Sequence, residues 1–281
     1  MRPIRQSLAL LALLAVFTAL PAQAETFHTC GTIIGSLPAV ISAGGVYCLT
    51  KDLNTAMAAG NAIDIQTNNV TIDCNGYKIG GLAAGTGSGT LGIHADGTRQ
   101  NITVRNCGIR GFYEGILLQG GAGHLIEDNR LDNNLYIGIS VNGDNALVRR
   151  NRVYDTGGYP SGFNSFGIYS HADVIDNTVA GVFATATDAG SEGIYAAGIG
   201  TEIRGNQVRG LAVTGLGLAH GINIGVIDVT VRNNSVAATV ATAGIGIYGY
   251  TASDTICMGN AVSKFATPIQ ACQDGGGNAS Q

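Results

Sequence analysis

Tryptophan is absent from the 281 residues, and methionine occurs only three times. Charged side chains make up 12% of the chain, and proline occurs five times. The scarcity of charge leaves no run of Lys or Arg. The sequence therefore shows no basic stripe of the kind that binds nucleic acid. No CxxC pair and no Cys/His cluster occurs, which argues against a zinc site. After one early apolar run, no stretch approaches the length of a membrane span.

That early run lies in "MRPIRQSLALLALLAVFTALPAQAET". Arg2 and Arg5 precede apolar residues from about Leu8 to Leu20, and Ala22-Gln23-Ala24 supplies a small-x-small cleavage site. The pattern is that of a secretory leader over 1–24. It predicts export to the periplasm or the medium. Beyond residue 24 the chain holds 13 basic and 19 acidic side chains, net −6.

Six cysteines remain in that portion: Cys30, Cys48, Cys74, Cys107, Cys257 and Cys272. An even count in an exported chain favours disulfides, although six cysteines allow about 15 pairings. Pairing between nearest cysteines, 30–48, 74–107 and 257–272, is favoured. The outer two would tie down the ends.

What the sequence has in abundance is a repeat. An aliphatic-x-aliphatic segment, an Asn and another aliphatic recur as "VTIDCNGY", "ITVRNCGI", "HLIEDNRL", "ALVRRNRV", "ADVIDNTV", "TEIRGNQV", "VTVRNNSV" and "TICMGNAV". The Asn positions are 75, 129, 151, 177, 206, 234 and 260, with Cys107 in place of one, at spacings of 22 to 32 residues. Before each lies a Gly or Ala followed by Ile: Ile63, Ile93, Ile116, Ile139, Ile168, Ile194, Ile222 and Ile247. Each unit thus holds three short strands with period-2 alternation.

Such units stack as a solenoid, with equivalent residues in rows about 4.8 Å apart. Inward Ile, Val and Leu form aliphatic columns. Asn tolerates left-handed backbone at a bend, and stacked amides can hydrogen-bond from coil to coil. Asp73, Arg105, Glu127 and Arg149 fall at one outward position and alternate in sign, as a structural row would.

The repeats resemble those of right-handed parallel β-helix proteins of the pectate-lyase-like superfamily, in the style of the NosD-like repeat proteins. The opening "ISAGGVYCLTKDLNTAMAAGNAIDIQTNNVTIDCNGYKI" resembles the usual start of such a helix. The resemblance covers about residues 40 to 270. It implies an all-β, single-stranded right-handed parallel β-helix of about eight coils, with three short sheets and an Asn ladder. A cap and first strand at 25–60, the helix at 61–265 and a disulfide-tied tail at 266–281 follow. The copper role of NosD-like proteins is disfavoured, because only Met57 and Met258 remain as soft ligands beyond the leader.

In pectate lyases the Asn ladder lies between the second and third sheets, and substrate lies on the first. Here the Gly-Ile strands are the first sheet. The longest and most variable loops, 78–91 and 154–166, lead into it. Alternation turns Asp64, Gln66, His94, Asp96, Gln119, Asn142, Tyr169, His171, Tyr195, Asn223, Tyr248 and Tyr250 outward. A groove about 15–25 Å long on such a face would take several sugar units. Glu192 and Asp188 fall in a loop over it, and His124 and His220 in other loops.

The resemblance implies an exported carbohydrate-active protein, in the first place a lyase that cleaves an acidic, uronic-acid polysaccharide by β-elimination. His171 is the candidate base, with Tyr169 or Tyr195 as acid. His94, Gln119, Asn142, Asn223 and Tyr248 are candidate substrate contacts. Asp64 and Asp96 are the candidate ligands for calcium, which takes carboxylate oxygens. An epimerase or a glycoside hydrolase is a lesser enzymatic reading. A non-catalytic polysaccharide-binding or cell-surface module is the alternative from a different class. The expected partner is a polysaccharide, with no nucleic acid and no membrane span beyond the leader, and the expected state is a monomer.

Overall fold

The computed structural model describes residues 30–160 and 163–281, with backbone alone at 240–242. The expected leader at 1–24 lies outside the described residues. The remainder winds into a parallel β-helix of about nine turns. One 3-10 turn, Leu82–Ala84, is the helical element among the described residues. Among the described residues no helix is long and apolar enough to cross a membrane.

The three strand rows fall where the repeat places them. The first sheet includes Asn61–Ile65, Leu91–Ala95, Glu114–Ala122, Ile137–Asp144, Ser165–Ser170, Ser191–Ala196 and Ala219–Ile224. The second runs from Thr32–Ile33 through Val70–Asp73 and Ile102–Arg105 to Gln273–Asp274. The third includes Lys78–Gly80, Gly108–Arg110, Arg130–Asp132, Arg152–Tyr154, Thr178–Ala180 and Gln207–Arg209. Ser235–Tyr248 and Ala261–Gln270 each run from the third sheet into the first without a break.

Register converts the sequence pattern into columns. Ile63, Ile93, Ile116, Ile139, Ile168, Ile194, Ile222 and Ile247 stack in one fully buried line. Ile72, Val104, Ile126, Val148, Val174, Ile203, Val231 and Cys257 form a second. β-branched side chains suit both columns, since they pack well on a pleated surface. The alternating outward row is also present. Arg105 Nε donates to Asp73 Oδ2 at 2.8 Å, and Arg149 Nε to Glu127 Oε2 at 2.9 Å.

The coil count exceeds the expected eight. Residues 39–54, expected as part of a cap, already make a coil. Ala39–Ile41 pairs with Asn61–Ile65, Gly45–Cys48 with Val70–Asp73, and Leu53–Asn54 with Lys78–Gly80. The repeat signal faded there because the Asn of the motif is missing, not because the strands are. At the other end Ala279–Ser280 pairs with Ala261–Gln270. All three expected disulfides, Cys30–Cys48, Cys74–Cys107 and Cys257–Cys272, are present.

The ladder differs from expectation in how it bends the chain. Left-handed backbone falls on the residue before the ladder position: Asn106, Asp128, Arg150, Asp176 and Asn233, at φ from 53° to 57°. The ladder Asn itself points inward and is buried. Asn129, Asn151, Asn177, Asn206 and Asn234 each donate Nδ2 to the Oδ1 of the next, at 3.0 to 3.1 Å. Each also donates to a backbone carbonyl of the coil before. These amides satisfy backbone groups that would otherwise be orphaned in a dry corner. Asn75 is outside the ladder. It holds the left-handed position itself, at φ 51°, and is exposed. Asn278, not anticipated, closes the ladder by accepting from Asn260 Nδ2 at 3.1 Å.

Candidate functional site

The first sheet carries two expected outward rows. One runs Asp64, His94, Leu117, Ser140, Tyr169, Tyr195, Asn223, Tyr248 in continuous register. Two residues further along each strand come Gln119, Asn142 and His171. The structure therefore brings Tyr169, Tyr195, His171, Asn142 and Asn223 together on neighbouring coils. His94 lies three coils from Tyr169, about 14 Å along the stack, and Tyr248 two coils from Tyr195.

A third outward row escaped strict alternation. In each first-sheet strand the Gly-Ile pair, Ala-Ile in Asn61–Ile65, buries two successive residues, as Leu91–Ala95 and Ser165–Ser170 show. The inner of these is the Ile of the motif, and the other is usually Gly. Gly fits because the next coil is in the way: a Cβ at Gly193 would run into the Gly221 carbonyl. The residue before the Gly therefore faces out again. This row contains Leu91, Glu114, Ile137, Phe166, Glu192 and His220.

The result is an aromatic strip across the middle of the sheet. Tyr113 and Tyr136 stack at 4.9 Å, and Tyr159 meets Tyr113 edge-on at 4.7 Å. Phe166 bridges onward, 6.0 Å from Tyr136, 5.6 Å from Tyr169 and 6.0 Å from Tyr195. Tyr169 and Tyr195 stack at 5.0 Å. The His171 ring lies 6.0 Å from that of Tyr169. Tyr113, Tyr136, Tyr159 and Phe166 were missed as site residues. Their only sequence mark is an aromatic one or two places before a Gly-Ile pair, or in the loop leading to one.

His171 also borders a polar cleft of 550 Å³, shared with Asn142, Asp144, Asp173 and Thr201. Burial holds its pKa below the usual histidine value, so the ring is neutral near pH 7. Burial, with Tyr169 and Glu192 nearby, raises the pKa of Tyr195 and keeps its hydroxyl protonated. One ring stands ready to accept a proton and the other to give one.

Comparison with known proteins fits this architecture. The family model for the right-handed β-helix region matches residues 40–189, more than half of the chain. The chain belongs to the right-handed β-helix family. No curated protein matches its sequence. Among solved structures, the Dettilon tailspike protein (gp208) is similar at 17% identity and TM-score 0.48, over 84% of this chain and 54% of that one. The chain thus spans about half of the tailspike. The A-module of the Azotobacter vinelandii mannuronan C-5 epimerase AlgE6 is similar at 11% identity and TM-score 0.37, over 89% and 87% of the two chains. The Agl-KA catalytic domain follows at 14%, 0.31, 89% and 58%. These are likenesses of fold alone.

Two acids of this β-helix lie beneath the strip. Glu114 is 9% exposed, and its Oε2 is buried without a hydrogen-bond partner among the described residues. Burial raises its carboxyl to about pH 7, against a smaller opposing effect of Ser140. Glu192 is 4% exposed and accepts from Asn164 Nδ2 at 3.2 Å and Asn223 Nδ2 at 2.9 Å. Burial raises it too, and the two amides pull it back in part. The two carboxyls stand three coils apart, about 14 Å at the backbone. An inverting hydrolase needs about 6.5–9.5 Å and a retaining one less.

Asp64, His124 and Asp188 have structural partners. Asp64 accepts from His94 Nδ1 at 2.7 Å, Gln66 Nε2 at 2.8 Å and Asn61 Nδ2 at 2.8 Å. Burial raises its pKa, but these bonds, that of His94 first, outweigh it and hold the carboxyl low. Asp96 is exposed, in the row beyond His94. With Asp64 engaged and no cluster of three ligating residues among the described residues, the pair does not fit a calcium ion. His124 is buried, its Nε2 on the Gly120 carbonyl at 2.8 Å. Asp188 accepts from the Leu216 N–H at 2.6 Å, which ties its loop to that of the next coil.

Proposed function

We propose that this protein is an exported carbohydrate-active β-helix that holds a polysaccharide along its first sheet. The reaction that the site supports best is β-elimination on a uronic-acid polymer. The observation that carries the reading is the group of Tyr169, Tyr195 and His171, with stacked rings beside a histidine in its base form and a tyrosine in its acid form. His171 takes the C5 proton of the uronate. The electron pair forms the new double bond, the glycosidic C–O bond breaks, and Tyr195 or Tyr169 protonates the leaving oxygen. Asn142 and Gln119 lie on the same side as His171 and offer amides to the uronate carboxylate. The aromatic strip supplies flat apolar faces for the sugar rings on either side. Three disulfides support an oxidising compartment.

Incubation with alginate, pectate and glycosaminoglycans, followed by ultraviolet absorbance of the unsaturated product, tests this reading. Absorbance that grows with time is expected on one of them. Binding without product on all of them overturns the lyase and leaves a polysaccharide-binding module. One observation favours that second reading: the three outward rows of the first sheet carry no Lys or Arg among the described residues. Elimination usually relies on a cation to neutralise the uronate.

A further inference from the structure

The cations missing from the first sheet are gathered on the third. Its outward rows follow from the register. One contains Lys78, Gly108, Arg130 and Arg152, and the other Gly80, Arg110, Asp132, Tyr154, Ala180 and Arg209. Five of the 13 basic residues beyond position 24 thus share one narrow face with two acids, Asp132 and Asp52, and Asp52 accepts from the Lys78 N–H at 2.9 Å. The chain as a whole is acidic. Residues 20 or more apart in sequence make the stripe, so no run of Lys or Arg announces it.

The second sheet's arginines are committed. Arg105, Arg149 and Arg232 each reach a carboxylate of the preceding coil. On the third sheet Lys78, Arg152 and Arg209 are exposed and form no ion pair among the described residues. Asp132 reaches Arg110 at 3.4 Å and Arg130 at 3.5 Å, and Arg130 remains 63% exposed over the Tyr154 ring. Asp155 and Asp176 stand at the two corners, and the corner acid Asp128 is tied to Arg150. Gly108 leaves a gap between Lys78 and Arg130, where a cleft of 460 Å³ opens. Cations thus stand at one, three and four coils of one row, about 10 and 5 Å apart.

We propose that this third-sheet face is a second binding surface, for an acidic polysaccharide laid along the stacking axis. Carboxylates spaced along an extended polymer can meet Arg130 and Arg152 on adjacent coils. Guanidinium groups suit carboxylates because their planar fork can give two parallel bonds. Tyr154 adds a ring face. The surface does not depend on catalysis at the first sheet, and it would hold an acidic chain without occupying His171.

The test uses the full chain, its Lys78→Gln/Arg130→Gln/Arg152→Gln variant, its Tyr169→Ala/Tyr195→Ala variant and the combination. Polyuronate binding is measured at low and at physiological salt, with a neutral polysaccharide, anionic lipid vesicles and duplex DNA as comparisons. The triple variant is expected to bind polyuronate about tenfold more weakly in either background, since three exposed charge contacts together are worth about 1–2 kcal/mol. Its circular dichroism and its neutral-polymer binding should not change. The salt dependence of polyuronate binding should fall with the charges. Lys78→Arg/Arg152→Lys keeps the charges and should keep the binding, which guards against misfolding as the cause of a loss. Unchanged polyuronate affinity in the triple variant overturns the proposal. So does tighter binding of vesicles or DNA than of polyuronate at equal ionic strength. If the double tyrosine variant binds every polymer as the wild type does, the first-sheet reading fails and this one stands.

Discussion

Tyr169 and Tyr195 lie ring over ring, 5.0 Å apart and 19° from parallel, on consecutive coils of the first sheet. Strand register enforces the stack, and both rings are half-exposed on the outer face of the sheet. A sugar ring on that face covers apolar area that water now wets. Tyr195→Ala should weaken polysaccharide binding about tenfold, from a loss of about 1–1.5 kcal/mol. Tyr169→Ala should act alike, and the double variant should lose less than the sum, because each ring supports the other. Titration calorimetry on the three variants reads this directly. Full affinity in both single variants would show that the strip is not the binding face.

His171 gives the pH prediction for activity. Only the neutral ring can accept the C5 proton. Burial lowers its pKa, so the acid limb of the rate profile should fall below about 6.5, the ordinary histidine value. His171→Ala should abolish product formation, and Asn142→Ala should reduce it with a smaller effect on binding. A variant without His171 that keeps full activity clears the residue of the role.

The fold was legible because a solenoid writes its tertiary structure as a local repeat. Ile168, Val174 and Val179 each predict a buried column, and each sits in one. The disulfides were legible because the cysteines fall near each other along the coil. The site was legible only in part. Tyr169, Tyr195 and His171 follow from period-2 alternation. Glu114 and Phe166 do not, since the Gly-Ile pair buries two successive residues and shifts the phase of everything before it. The third-sheet stripe was hidden for a different reason. Arg130 and Arg152 are neighbours only after the coils stack, and sequence composition averages them away.

Asn177 tests the ladder. Its Oδ1 accepts from the Asn151 N–H at 2.9 Å and from Asn151 Nδ2 at 3.1 Å, and its Nδ2 reaches the Val148 carbonyl at 2.9 Å. Asn177→Ala would strand those groups in a site that is 1% exposed. Unsatisfied buried polar groups cost about 1–3 kcal/mol each, so a loss of about 3 kcal/mol or more in urea unfolding is expected. Asn177→Asp keeps the acceptors but loses the donors, and should fall between. Asn75, exposed and bonded through Nδ2 to the Leu49 carbonyl at 3.1 Å, should cost about 1 kcal/mol when changed to Ala, and its left-handed backbone adds to that.

Glu114 makes stability depend on pH in a direction that few carboxylates do. Its folded value of about 7 lies above its ordinary 4.5. Between those values the folded state holds a proton that the unfolded state has released, so stability falls as pH rises. The contribution is fully present below about 4.5 and gone above about 7. At about 1.4 kcal/mol per pKa unit it amounts to about 3 kcal/mol. Glu192, raised in the same way, acts with the same sign. His124, His171 and His220 are lowered by burial and act oppositely, losing stability as pH falls through the histidine range. The comparison that isolates Glu114 is therefore wild type against Glu114→Gln. Gln keeps the shape, cannot ionise, and should be the more stable of the two by a margin that grows from pH 4.5 to 8. Denaturant melts at three pH values measure that margin. A difference that stays flat across the range would show that Oε2 finds a donor or water, and that the acid under the tyrosines is ionised throughout.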